Sequence, residues 1–282
     1  MKGTRTLLVT DLDNTLWDWV GIWHATYSTL FDDLAHATGT PRAQLEKEIR
    51  AIHRFYGTSE YSNLLNEIPS IVTAAAPTSP SKRFDEVLHR FRSSRKLKTV
   101  LYPGVRATLH ALRAADIRVV AYTESQSFWS AWRIQKTGLD GLIDTLYSAP
   151  DHQLPAGQES GADALLEQTA HRHTPDGVVK PSEEILRTIL ADQCVEPEQA
   201  VYIGDNIMKD VAMAQSVGVF DVHAQYGESH SRDEYDLLRR VTHWTDADVE
   251  REQRLAASRE SISPPSLVCD RSFEQIARAF GQ

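Results

Sequence analysis

Thr6 to Thr10 (TLLVT) is a short apolar run that stops abruptly at Asp11, with a second acid at Asp13. A run this short with no polar face fits a strand buried inside a parallel sheet better than a helix. The two carboxylates then stand at that strand's C-terminal end, where backbone spacing can aim both into one crevice beyond the sheet. A parallel sheet needs crossover helices, and the later sequence supplies the alternation. Val105, Leu109 and Leu112 form the stripe of a helix after Tyr102-Pro103-Gly104, and it leads to a strand over Ile117 to Tyr122 (IRVVAY). The same order returns as a helix from Pro181 to Leu190, a strand from Ala200 to Gly204 (AVYIG), a helix from Ile207 to Val217 and a strand from Val219 to Val222. The predicted class is α/β, a doubly wound parallel sheet with a Rossmann-like core.

Between Trp17 and about Lys98 the periodicity is helical instead. Ile22, Tyr27, Leu30, Phe31 and Leu34 recur at helical spacing, a second helix starts near Pro41, Ala74 to Ser81 reads as a loop, and Phe84, Val87, Leu88 and Phe91 mark a third helix. The predicted organisation is a small all-helical domain over 17–98, inserted into a core made of 1–16 and 99–282. A chain of 282 residues with 41% hydrophobic and 24% charged residues has material for both. Two stretches are less legible. Residues 149–177 carry Pro150, Pro155, Gly157, Gly161, Pro175 and Gly177 around a short helical pattern at Ala164 to Ala170, which predicts an insert. Residues 228–265 alternate in charge and predict a surface helix near Asp246 to Ser258, before a last strand at Leu267 to Cys269 and a last helix from Phe273 to Phe280.

The net charge of -9, with both signs mixed along the chain, gives no electrostatic reason to expect nucleic-acid binding. No signal-peptide pattern and no run of eighteen apolar residues is present, so the expectation is a cytoplasmic enzyme without a membrane partner. Cys194 and Cys269 lie far apart, outside any CxxC, and read as two ordinary buried thiols.

Asp11 and Asp13 read equally as helix-capping acids or as groups awaiting a cation. Gly204-Asp205-Asn206-Ile207-Met208-Lys209-Asp210 repeats the geometry, with Asp205 after a strand and Asp210 in the first turns of a helix. If the two strands are neighbours, three carboxylates converge, which suits a hard cation such as Mg2+. Thr123 follows the strand through Tyr122, and Lys180 precedes Pro181 at a helix start, beside the acidic crevice.

In the order DLDNT, AYT, VKP and GDNIMKD, these pieces resemble the motifs of the haloacid dehalogenase (HAD) superfamily. The helical segment resembles that superfamily's cap, inserted after the first motif. The resemblance implies a magnesium-dependent phosphatase acting on a small phosphorylated metabolite. Asp11 would be the nucleophile, forming an aspartyl-phosphate, and Asp13 would serve as acid and then base. Asp11, the backbone carbonyl of Asp13, and Asp205 would hold the cation, with Asp210 holding it directly or through a neighbour. Thr123 and Lys180 would bind the phosphoryl group. One departure is Glu124-Ser125 after Thr123, where many members carry Asn or a small residue. Either Glu124 turns away from the phosphate or it narrows the substrates accepted.

Trp17, Trp19 and Trp23 read as packing, and His171 and His173 as exposed loop histidines. Dehalogenation at carbon needs neither magnesium nor Asp13, which favours the phosphatase. A phosphomutase, or another phosphotransferase of the superfamily, shares the same nucleophile and metal site. A binding protein that keeps the fold without turnover would not need all six site residues. The sequence does not define the oligomeric state.

Overall fold

The computed structural model describes residues 5–152, 165–229, 232–245, 250, 254 and 263–281. Strands β1 (Leu7–Thr10), β2 (Arg118–Gln126), β3 (Thr145–Ala149), β4 (Ala170–His173), β5 (Ala200–Gly204), β6 (Phe220–Ala224) and β7 (Leu267–Cys269) form one seven-stranded sheet in the order β4-β3-β2-β1-β5-β6-β7. Every pairing is parallel, as the apolar runs predict. β1 has β2 on one side and β5 on the other, so the strand order reverses there and a crevice opens beyond the strand ends. Thr10 pairs in register with Ala121 of β2 and Ile203 of β5. Asp11 just past β1, Thr123 still within β2 and Asp205 just past β5 therefore stand at nearly the same level of the sheet.

Helices α1 (Trp19–Thr38), α2 (Arg42–Tyr56), α3 (Pro69–Ala75), α4 (Pro80–Arg83) and α5 (Asp85–Lys98) lie between β1 and β2 in the sequence. Asp18 caps α1 by accepting from the Gly21 N–H at 2.9 Å, and Gly39 ends it with a positive φ of 72° that suits glycine. Val20, Trp23, Tyr27, Leu30, Phe31 and Leu34 of α1 meet Leu45, Ile49 and Ile52 of α2 and Val87 and Phe91 of α5 in one apolar cluster. The sheet is covered by α6 (Val105–Ala114) and α7 (Ser127–Thr137) on one face and by α8 (Glu183–Asp192) and α9 (Ala212–Val217) on the other. Alternation along β1 divides the faces: Leu8 packs with Leu109 and Ile134, and Leu7 and Val9 pack with Leu186 and Met213.

Several expectations change. Helix α10 (Asp233–Val241), within the charge-rich stretch 228–265, sends Tyr235, Leu237, Leu238 and Val241 into the cluster of α1, α2 and α5. Its apolar face needs cover, and the neighbouring helices supply it. The surface helix expected at Asp246 to Ser258 lies almost wholly outside the described residues. The helical pattern at Ala164 to Ala170 is not a helix over its described part. The Asp140 carboxylate accepts from the N–H groups of Glu167, Gln168 and Thr169 at 2.9, 3.1 and 2.8 Å, which holds a turn that feeds β4. His171 and His173 accordingly sit on the edge strand β4 rather than in a loop, and the Nε2 of His171 is 2.8 Å from the Ser148 hydroxyl. Cys269 is buried, but Cys194 is exposed in the turn after α8. The helix expected from Ile207 begins as a wide π turn, Ile207–Val211, before α9 takes over.

Candidate active site

The π turn explains how Asp210 reaches the crevice. Asn206 Oδ1 accepts from the N–H groups of Met208 and Lys209 at 2.9 and 3.0 Å, opening the turn. The Asp210 carboxylate folds back over Gly204 and accepts from the Asn206 N–H at 3.1 Å. A Cβ on residue 204 would stand 2.2 Å from the Asp210 Cγ, so only glycine leaves room at the end of β5. On Asp210 Oδ1, Lys180 Nζ donates at 2.9 Å and the Tyr202 hydroxyl at 2.9 Å. Lys180 Nζ also donates to Asp11 Oδ1 at 2.6 Å, while Thr15 Oγ1 donates to Asp11 Oδ2 at 3.1 Å. Asp11, Asp205 and Asp210 each offer an oxygen within 4.8 Å of the other two.

Burial raises the pKa of Asp205, and Asp11 and Asp210 raise it further. Burial likewise raises Asp11, against the pull of Lys180. The Lys180 ammonium, which burial alone would discharge, is held well above its usual range by Asp11 and Asp210. One ammonium therefore faces three buried carboxylates, and the Asp205 side chain accepts no hydrogen bond from any described residue. That donor set is all oxygen, short of positive charge, and includes one unengaged carboxylate. It fits a hard divalent cation.

Asp13, expected to meet the metal through its backbone carbonyl, turns its carboxylate to other partners. Trp17 Nε1 donates to its Oδ1 at 2.6 Å, and Ser125 Oγ donates to its Oδ2. Thr123 is 2% exposed, and its Oγ1 accepts from the Ser125 N–H at 3.0 Å, which frees its own hydroxyl proton for a ligand. Glu124 turns away from the crevice: Oε1 accepts from the Lys180 N–H at 2.7 Å, and Oε2 takes Lys209 Nζ at 2.9 Å. Its charge is thus compensated by Lys209 and cannot repel a bound anion at full strength.

The motifs do not contain the groups that surround Asp13. Arg133 of α7 is fully buried, places Nη1 3.8 Å from Asp13 Oδ1, and donates from Nη2 to both Glu60 oxygens at 2.5 and 2.7 Å. Glu60, in the loop after α2, also accepts from Trp19 Nε1 at 3.0 Å, and its backbone carbonyl accepts from Trp129 Nε1 at 2.7 Å. Trp17, Trp19 and Trp23 all pack against the apolar clusters, as expected, and Trp17 and Trp19 in addition give their indole N–H groups to Asp13 and Glu60, while Trp23 Nε1 donates to the Ser59 carbonyl. The nearest sequence signal was the adjacency of Trp17 to DLDNT, since Glu60 and Arg133 meet Asp13 only through tertiary contacts.

The model of a family of hydrolases, haloacid dehalogenase-like hydrolase, matches residues 6–218. A 69-residue stretch is 35% identical to phospholysine phosphohistidine inorganic pyrophosphate phosphatase of Danio rerio, covering 24% of this chain and 26% of that protein. Among solved structures, the fold is similar to the 2-haloacid dehalogenase of Pseudomonas syringae pv. tomato DC3000, with a TM-score of 0.54, 18% identity and 98% of each chain covered. It is also similar to the HAD-hydrolase YfnB of Bacillus subtilis, a structure bound to magnesium, with a TM-score of 0.53, 13% identity and 99% and 100% of the two chains covered.

Proposed function

Because this chain belongs to the haloacid dehalogenase-like hydrolase family, we propose that it is a magnesium-dependent phosphatase that hydrolyses a small phosphorylated metabolite through an aspartyl-phosphate on Asp11. The observation that carries this reading is the unequal setting of the two acids of the first motif. Asp11 lies with Lys180 in the carboxylate cluster, while Asp13 faces Trp17, Ser125 and Arg133 instead. Two acids in different settings suit two different jobs, attack and proton transfer. Dehalogenation at carbon gives Asp13 no task.

An Asp11 oxygen attacks phosphorus as the bond to the leaving alcohol breaks, and Asp13 delivers its proton to that alcohol. Asp13 then takes a proton from water, whose oxygen attacks phosphorus and releases Asp11. The Thr123 hydroxyl and the Lys180 ammonium hold the phosphoryl oxygens, the electrostatic work that dominates such transfers. Magnesium, when bound, supplies positive charge to phosphate, with Asp11, Asp205 and the Asp13 carbonyl as its protein ligands. Asp210, whose oxygens already accept from Lys180, Tyr202 and Asn206, supports Lys180 rather than holding the cation itself. The helical layer over 17–98, joined by α10, acts as the cap that excludes water.

Rapid-quench mass spectrometry on two variants tests this assignment. Asp11→Asn should give no turnover and no phosphoryl-enzyme. Asp13→Asn, assayed with an activated aryl phosphate, should accumulate an adduct on Asp11 while turnover falls about a hundredfold to ten-thousandfold. An adduct on another residue, or full activity in excess chelator, would overturn it.

A further inference from the structure

A second cavity, of about 650 Å³, lies between the helical layer and the sheet. It is walled by α5 and residues 61–66 on one side and by the start of α7 with Asp151 and His152 on the other. No residue of the four motifs lines it. It connects to the catalytic centre by contacts: Trp129 and Arg95 of its wall adjoin Glu60, Glu60 binds Arg133, and Arg133 approaches Asp13.

Arg95 is the unusual member of this wall. It is only 7% exposed, and its guanidinium lies over the rings of Trp129 and Phe91, 4.1 and 4.7 Å from their centroids. Among the described residues its side chain donates no hydrogen bond. Burial lowers its pKa against the attraction of Glu60, so this charge is held at a cost. A guanidinium carries five N–H donors, and stacking on aromatic rings satisfies none of them. Arg92 and Lys96, on the same helix, bring two more positive charges to the cavity, and Leu64, Phe128 and Trp132 give it an apolar wall.

We propose that this cavity is a second binding site, for a small organic anion with a flat apolar body, whose carboxylate or phosphate group is held by Arg95. The planar fork of the guanidinium matches such an oxyanion, and the aromatic wall takes the body. Two sources share this chemistry: a separate metabolite, or the far end of a substrate whose phosphate lies at Asp11.

Isothermal titration calorimetry of the full chain with 2-naphthoate, and with its uncharged counterpart 2-naphthamide, tests the site without any turnover. A failure here is therefore distinct from a failure of the phosphatase reading. Saturable binding of the acid is expected, with the amide at least about tenfold weaker. Arg95→Gln should weaken the acid about tenfold or more. Arg92→Glu, on the exposed rim, keeps the fold and should weaken it too. No saturation at millimolar acid, equal binding of acid and amide, or affinity untouched by both variants overturns the proposal. Where the acid binds, competition separates the sources: a rise in KM for substrate places the far end of the substrate in the cavity, and an unchanged KM marks a separate effector.

Discussion

Glu60→Gln asks whether the helical layer sets the charge around Asp13. In the structure Glu60 neutralises Arg133 through contacts of 2.5 and 2.7 Å, while the same guanidinium lies 3.8 Å from Asp13. Glutamine keeps the shape and an acceptor but removes the charge, leaving Asp13 as the carboxylate nearest a fully buried cation. At that separation two unit charges attract by about 4 kcal/mol at an effective dielectric constant of about 20, a pull on the Asp13 carboxylate that Glu60 no longer opposes by holding Arg133 back. If relaxation and water halve this, about 2 kcal/mol is available to draw the Asp13 carboxylate out of line towards Arg133, a factor of about thirty in rate, and the full value gives about a thousandfold. The expected result is a fall of about thirtyfold to a thousandfold in kcat for an alkyl phosphate, whose leaving group needs a proton. With p-nitrophenyl phosphate, whose leaving group needs little help, kcat should fall only a few-fold. Steady-state assays on both esters check this, with a urea melt establishing that the variant is folded. Equal losses on the two esters, or no loss on the alkyl ester, would refute the link between Glu60 and proton transfer.

Gly204→Ala should cost about 1–3 kcal/mol of stability and most of the activity, because the new methyl displaces the Asp210 carboxylate that holds Lys180; a urea midpoint and kcat matching the parent protein would contradict this. His53, fully buried with Nδ1 2.8 Å from the Val241 carbonyl, has its pKa pushed down by burial from 6.5 to about 4. The unfolded chain therefore takes up that proton first, so the stability this group contributes is complete above about pH 6.5 and falls by up to about 3 kcal/mol as pH drops towards 4. His53→Gln should flatten the fall in urea midpoint across that window, and an unchanged slope would assign it to another group.

The sheet centre and the motif residues were legible because each signal is local. An apolar run ending in an acid needs no partner to be recognised, and β1, β5 and the acids Asp11 and Asp205 all have that form. Edge strand β4 was not legible: its sequence, AHRH, has no apolar character, and its place depends on Asp140 holding the turn before it. Ser125 was visible only as a departure beside Glu124, with nothing to indicate that its hydroxyl serves Asp13 across 112 positions of sequence. Glu60 and Arg133 are ordinary charged residues in a helical pattern until the fold buries them together. Likewise α10 sits in a charge-rich stretch whose average hides an apolar face, and only the neighbouring helices reveal what that face is for.

The chain visits the helical layer twice, once between β1 and α6 and again between β6 and β7. The two visits are fastened to each other at their entrances, where the Arg232 guanidinium grips the Asp18 carboxylate at 2.7 and 3.0 Å. A plate hung from one edge is free to swing like a door, whereas one tied where its two supports meet has a fixed point to turn about. Asp18 is that point and also the cap of α1, the longest lever in the layer. Trp17 is its immediate neighbour, with its indole N–H on Asp13. Any tilt of α1 about that point would be felt first at Trp17 and, through its indole N–H, at the Asp13 carboxylate, the way a beam balance reports a distant weight at its knife edge.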